Sequence, residues 1–190
     1  MGYSILYVDP PWQYEQRTLR GAAEKHYQTL TDEELYRLPV GSLANKDSIL
    51  FLWTTYPKLK EALTAIERWG FQYKTAGFVW LKQNRRSPTW FFGLGFWTRG
   101  NTELCLIAIK GKPQRISAKV SQLIVSPVEI HSRKPDIVRE RIVELMGDVP
   151  RIELFARKMV PGWVCLGNEI DGLDIREAIQ RKIEDEREGR

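Results

Sequence analysis

The chain is 190 residues long and 43% hydrophobic, with 29 lysines and arginines against 24 aspartates and glutamates, a net charge of +5. That length suits one domain over residues 1–190 with a substantial core, and the modest positive balance permits an anionic partner without requiring one. No apolar run approaches the roughly 20 residues of a membrane-spanning helix and no basic-then-apolar leader opens the chain, so neither a membrane partner nor export is expected.

Strand-like and helix-like segments alternate. Ser4-Ile5-Leu6-Tyr7-Val8 reads as a buried strand, and residues 13–30 are polar and read as irregular. Thr31-Asp32-Glu33-Glu34 fits a capping box, in which a hydroxyl and a carboxylate satisfy each other's backbone N–H groups, and opens a short helix to about Leu38. Residues 48–54 form a continuous apolar run, the mark of a central strand. Pro57 suits the first turn of a helix that runs to Trp69 and stops at Gly70. Residues 72–81 and 102–110 supply two more strands, and residues 111–131 carry no clear signal. From Pro135, the positions Ile137, Val138, Ile142, Val143 and Met146 keep helical spacing as far as Gly147. Strands follow at 151–156 and 163–166, and the charged residues 175–190 read as a helix with a solvated face. Such alternation predicts an α/β fold, a mostly parallel sheet with helices on both faces. Cys105 and Cys165 both lie inside apolar runs and read as buried, reduced thiols. His26 and His131 stand far apart without partners at ligand spacing, so no metal is expected.

Asp9-Pro10-Pro11-Trp12 follows directly on the first strand. In open α/β sheets, ligands bind just beyond the carboxyl ends of strands. There the Asp9 carboxylate can accept one N–H of a planar amine and the Pro10 carbonyl the other, held rigidly because Pro10 and Pro11 both have a fixed φ. Each bond strengthens as positive charge builds on the nitrogen, which favours a transition state over its ground state. The Trp12 indole can lie against a flat ring, worth about 1–3 kcal/mol for a nucleobase. The plainer alternative is that the prolines end the strand and Trp12 packs on its flank.

Further motifs follow in order: Trp80-x-Lys82, Glu103 within Asn101-Thr102-Glu103-Leu104, Lys110-Gly111-Lys112-Pro113, His131-Ser132-Arg133-Lys134-Pro135, Glu153-Leu154-Phe155-Ala156-Arg157, and Gly162-Trp163 leading to Leu166-Gly167-Asn168-Glu169. Together with Asp9-Pro10-Pro11-Trp12, this set resembles the MT-A70 family of S-adenosylmethionine-dependent adenine methyltransferases over nearly the whole chain, in its compact bacterial or phage form. The resemblance implies a Rossmann-like class I methyltransferase fold in permuted order, with the catalytic strand first and the cofactor-binding half last. It implies methyl transfer from S-adenosylmethionine to the 6-amino group of adenine, in DNA before RNA, in the cytoplasm of a bacterial or phage-infected cell. It assigns catalysis to Asp9, Pro10, Pro11 and Trp12. Cofactor contacts fall to Asp9, Lys134, Phe155, Arg157, Asn168 and Glu169. Lys134 would stand beside a helix N-terminus, a setting suited to the cofactor's carboxylate. Asn168 and Glu169, at the end of the last strand, would reach the ribose hydroxyls.

On the acceptor side the candidates are Trp12, Arg85, Arg86, Arg99 and Glu103, read from their chemistry, and Lys82, which matches the family's Trp-x-Lys pattern. Arg85, Arg86 and Arg99 interleave with Trp90, Phe91, Phe92, Phe96 and Trp97, a composition suited to phosphates and unstacked bases. The same aromatics equally suit core or a homodimer contact. Glu103, an acid inside an apolar strand, requires a cationic partner. Met1-Gly2-Tyr3 stands almost on the first strand, without the acidic element usual before it, so Asp171 and its neighbours are expected to hold the cofactor's adenine. No separate target-recognition segment is visible. RNA or another planar amine as acceptor, and a non-catalytic nucleic-acid-binding role, stay open as alternatives.

Overall fold

The computed structural model describes residues 2–14, 30–95, 97–129 and 133–189. The irregular reading of residues 13–30, together with His26, Phe96, His131 and Ser132, falls wholly or largely outside them. The elements in chain order are β1 (Tyr3–Val8), α1 (Asp32–Tyr36), β2 (Ala44–Thr54), α2 (Leu59–Arg68), β3 (Gln72–Gln83), β4 (Thr102–Lys110), β5 (Leu123–Pro127), α3 (Ile137–Met146), β6 (Arg151–Leu154), β7 (Val164–Leu166), α4 (Asn168–Asp171) and α5 (Ile175–Glu188).

Seven strands among the described residues form one sheet in the order β5-β3-β4-β2-β1-β6-β7. β4 runs antiparallel to both its neighbours, and every other adjacent pair is parallel. The expected α/β class and mostly parallel sheet are what the molecule has, and the architecture is Rossmann-like.

Strand alternation divides the core between the two faces. In β1, Leu6 and Val8 join one cluster with Leu50 and Leu52 of β2, Ile66 of α2 and Ile179 of α5. Ile5 and Tyr7 join the other, with Phe51 and Trp53 of β2 and Ile142 of α3. The last four side chains of β1, from Ile5 to Val8, are at most 1% exposed, so the strand end that carries Asp9 is anchored from both sides.

Several boundaries differ from the sequence reading. β5 lies inside the stretch without clear signal; only Ile124 of its three central residues is buried, and one inward side chain is too short a pattern to show alternation. Pro57 sits in a 3-10 turn, Tyr56–Lys58, and α2 begins at Leu59. β6 ends at Leu154, short of Ala156, and α3 begins at Ile137 instead of Pro135. Asn168 and Glu169 do not end a strand: β7 stops at Leu166, and both open the four-residue α4. The chain leaves β1 toward β2 on one side and reaches β6, through α3, on the other. That reversal opens a crevice at the carboxyl ends of β1 and β6.

Candidate active site

Asp9 is the first residue beyond β1, at the floor of this crevice. Lys134, just before α3, grips its carboxylate by both oxygens, at 2.8 Å and 3.0 Å. The same ammonium lies 3.3 Å from Glu103 Oε2, and Lys82 Nζ bonds Glu103 Oε1. Four residues from four segments thus form one alternating chain of charge, Asp9–Lys134–Glu103–Lys82. The acid in β4 has found its cations.

Burial sets the terms here. Glu103 and Lys134 are each 9% exposed, and an ion inside a protein is tolerated only when paired. Burial alone would raise the Glu103 carboxyl, but Lys134 and Lys82 hold it below its ordinary value. Burial alone would lower the Lys134 ammonium, and Asp9 and Glu103 carry it well above the usual lysine range.

Beneath the ions lie two indoles. Lys134 Nζ stands 5.4 Å from the Trp53 ring centroid and Lys82 Nζ 5.1 Å from that of Trp80, both within cation–π range. Trp53 was invisible as a site residue in sequence, because it closes a continuous apolar run. Tyr7 likewise reads as core, yet its hydroxyl accepts the Trp53 indole N–H at 2.7 Å.

The turn after Asp9 differs from expectation in two ways. The Trp12 amide donates to the Pro10 carbonyl at 2.9 Å, which leaves that oxygen its second lone pair. Trp12 does not present an open indole face. Its side chain is 6% exposed, lies in the core, and donates its ring N–H to the Trp53 carbonyl at 3.0 Å. An indole held by core on its faces and bonded at its nitrogen has little left to offer a flat ligand.

The crevice is open to solvent and is bordered by Tyr7, Asp9, Lys134, Arg139, Glu153, Phe155, Arg157 and Lys158. Phe155 has a φ of 61°, the left-handed region that non-glycine residues enter at a cost of about 1–3 kcal/mol. Arg157 reaches Glu169 at 3.8 Å, so these two are brought together at the rim, whereas Asn168 and Glu169 do not line the crevice. A second buried pair that sequence reading missed, Arg139 of α3 with Glu153 of β6, joins two elements at 2.5 and 2.7 Å. Burial pushes the Glu153 carboxyl up, and the doubly bonded Arg139 opposes that shift.

Arg85, Arg86 and Arg99 lie outside the crevice, on the exposed connection between β3 and β4. Trp90, Phe92 and Trp97 on that connection are 44%, 66% and 99% exposed, so they are not core. Phe91 turns inward, its ring 5.9 Å from Lys82 Nζ and its amide on the Lys82 carbonyl.

The model of the MT-A70 family matches residues 3–169. The chain belongs to the MT-A70 family. Among its relatives, the type II methyltransferase M.MunI of a Mycoplasma species is 34% identical, across 96% of this chain and 84% of its own length. The human N(6)-adenosine-methyltransferase catalytic subunit METTL3 is 32% identical across 91% of this chain, and an Arabidopsis thaliana N(6)-adenosine-methyltransferase, MT-A70-like, 31% across 91%. The chain spans less than a third of the length of these two. The MT-A70 match stops within α4, so α5 lies beyond it. No helix among the described residues is long and apolar enough to cross a membrane.

Proposed function

We propose that this protein transfers a methyl group from S-adenosylmethionine to the 6-amino group of adenine in DNA. The observation that carries the reading is the Asp9 carboxylate at the end of β1, held on both oxygens by Lys134 inside the crevice. The DNA acceptor is favoured because similarity over most of both chains runs to a type II methyltransferase, whereas the relatives named for adenosine, a ribonucleoside, are matched over a small part.

The donor set suits the cofactor. Two carboxylates, Asp9 and Glu153, and the cations Arg133, Lys134, Arg139, Arg157 and Lys158 border the same crevice. Glu153 and Arg139 are bonded to each other, and Asp9 with the other cations fits a group carrying both an ammonium and a carboxylate. Bound there, S-adenosylmethionine supplies an electrophilic methyl group. In our reading Arg157 bonds its carboxylate and the charge of Lys134, whose N–H donors stay on Asp9 and Glu103, attracts it; Asp9 meets its ammonium, and the strained Phe155 backbone lines its path. Asn168 and Glu169, at the rim, serve the ribose. The permuted order belongs to the same proposal, since the acceptor clamp follows the first strand and most proposed cofactor residues come from the last third.

Asp9 and the Pro10 carbonyl would each accept one N–H of the target amine. That draws the nitrogen toward a pyramidal shape and returns its lone pair from the ring. Both bonds tighten as charge develops, so they stabilise the transition state selectively. Trp12 acts in this reading from the core, through its bond to the Trp53 carbonyl, by fixing the turn that aims the Pro10 oxygen. Lys82 and Glu103 border the acceptor side, and Arg85, Arg86 and Arg99 with the exposed aromatics hold the flanking strand. A base taken from a duplex must leave its stack, and exposed aromatic faces offset part of that loss.

Transfer of tritium from labelled cofactor to DNA tests this. Asp9→Ala should label at least about a hundredfold less than the wild type, the scale on which removing one polar transition-state contact acts. Equal labelling by both proteins refutes the assignment. Mass spectrometry of the digested product distinguishes 6-methyldeoxyadenosine from 6-methyladenosine, and the latter alone would move the acceptor to RNA.

A further inference from the structure

We infer that Trp53 is a positioning residue of this site, its indole face seating the Lys134 ammonium and, through it, Asp9. Three different groups of Trp53 engage three parts of the machinery. Its ring lies beneath Lys134 Nζ, 5.4 Å from the centroid. Its ring N–H donates to the Tyr7 hydroxyl, two residues before Asp9, at 2.7 Å. Its carbonyl accepts the Trp12 indole N–H, three residues after Asp9, at 3.0 Å. Asp9 is therefore bracketed from the neighbouring strand by one residue, itself 1% exposed.

The chemistry explains why an indole fits there. A π face attracts an ammonium without accepting its N–H donors along lone pairs. Those donors stay directed at the Asp9 and Glu103 carboxylates. An amide or carboxylate in the same place would compete for them and turn Lys134 away. The apolar floor also keeps water from the underside of the ion chain, where a lower dielectric strengthens each contact. Trp80 repeats the device on β3: Lys82 stands over its ring, its N–H donates to the Ser126 carbonyl at 3.2 Å, and it meets Trp53 edge-on at 6.4 Å.

The seating of Lys134 is tested without turnover; its consequence for rate rests on the methyl-transfer reading above. Full-length Trp53→Phe keeps a smaller aromatic face and loses the N–H, and Tyr7→Phe removes the same hydrogen bond from its other end with the indole intact. Trp53→Met keeps an apolar filler and loses the face. Acylation of lysines by an anhydride, mapped by mass spectrometry, reads the exposure of Lys134. Lys110 is the internal reference, held at the far end of β4 by the Gly41 carbonyl at 3.0 Å. Lys134 labelling relative to Lys110 should rise by about fivefold or more in Trp53→Met and stay within about twofold in the two phenylalanine variants, because only the first removes the cation–π interaction. Unchanged labelling in Trp53→Met overturns the inference whatever the protein's activity.

Tritium transfer supplies the second readout. Trp53→Met should lower kcat about tenfold in the wild type and by less than about twofold in a Lys134→Met background, since coupled residues do not add. An equal loss in both backgrounds shows that Trp53 acts on the fold alone and overturns the inference. Site-specific fluorinated tryptophan at position 53 weakens the ring face at nearly constant shape. If Trp53→Met fails to fold, a graded rise in Lys134 labelling along that series supports the inference and a flat series overturns it. A wild type that transfers no label sinks the methyl-transfer reading and leaves the acylation result to decide Trp53.

Discussion

Glu103 shows what a single residue contributes. It is an acid in an apolar strand, and its sequence demands a partner without naming one; the structure answers with Lys82 and Lys134. Its carboxyl is held below the ordinary value of 4.5, so its stabilising effect is complete above that value and is lost as pH falls through the lower folded value. Glu103→Gln should therefore flatten the acid limb of the stability curve below about pH 4.5 and cost about 3 kcal/mol at pH 7, where buried Lys134 and partly buried Lys82 lose their shared anion. Denaturant melts of both proteins across pH 3–8 check it; parallel acid limbs would contradict the pairing. Trp12 shows the reverse limit. Its neighbours in sequence suggest an open stacking ring, but strand pairing sets the Trp53 carbonyl within reach and the indole is drawn into the core.

Elements were legible in proportion to how locally they are encoded. The capping box of α1 was visible in four residues and is present: the Thr31 hydroxyl accepts the Glu34 amide at 3.2 Å, and the Glu34 carboxylate accepts the Thr31 amide at 2.9 Å. Thr31→Ala should cost about 1 kcal/mol in urea unfolding. Edge strand β5 and the short helix α4 were missed, because segments of five and four residues are too short to show a periodicity. What joins elements was missed too. At Gly167 a Cβ would lie 2.3 Å from the Ala156 carbonyl oxygen, so the exits of β6 and β7 touch backbone to backbone. Gly167→Ala should destabilise by about 1–3 kcal/mol, as overpacking does, and weaken cofactor binding in calorimetry by separating Phe155 and Arg157 from Asn168. An unchanged melting temperature would show that the backbone yields there.

Across the whole molecule, the charge of +5 is modest, and its distribution matters more than its sum. Arg85, Arg86 and Arg99 share an exposed connection with Trp90, Phe92 and Trp97, beside the Lys82 end of the ion chain. Replacing all three arginines with alanine should reduce the slope of log affinity for DNA against log salt by about 2 to 3, at roughly 0.9 for each phosphate no longer neutralised. An unchanged slope would move nucleic acid off this surface. By itself, the sequence determined the alternation of strands and helices, the acid at the first strand's end and the ordered motifs of the family. These are properties of neighbouring residues or of their order along the chain. Only the tertiary structure decided that Asp9, Lys134, Glu103 and Lys82 share one line of charge, that Trp53 lies beneath it, and that Trp12 is buried. The physical reason is that the sheet's register brings together side chains distant in sequence, and buried charges keep only the partners that register supplies.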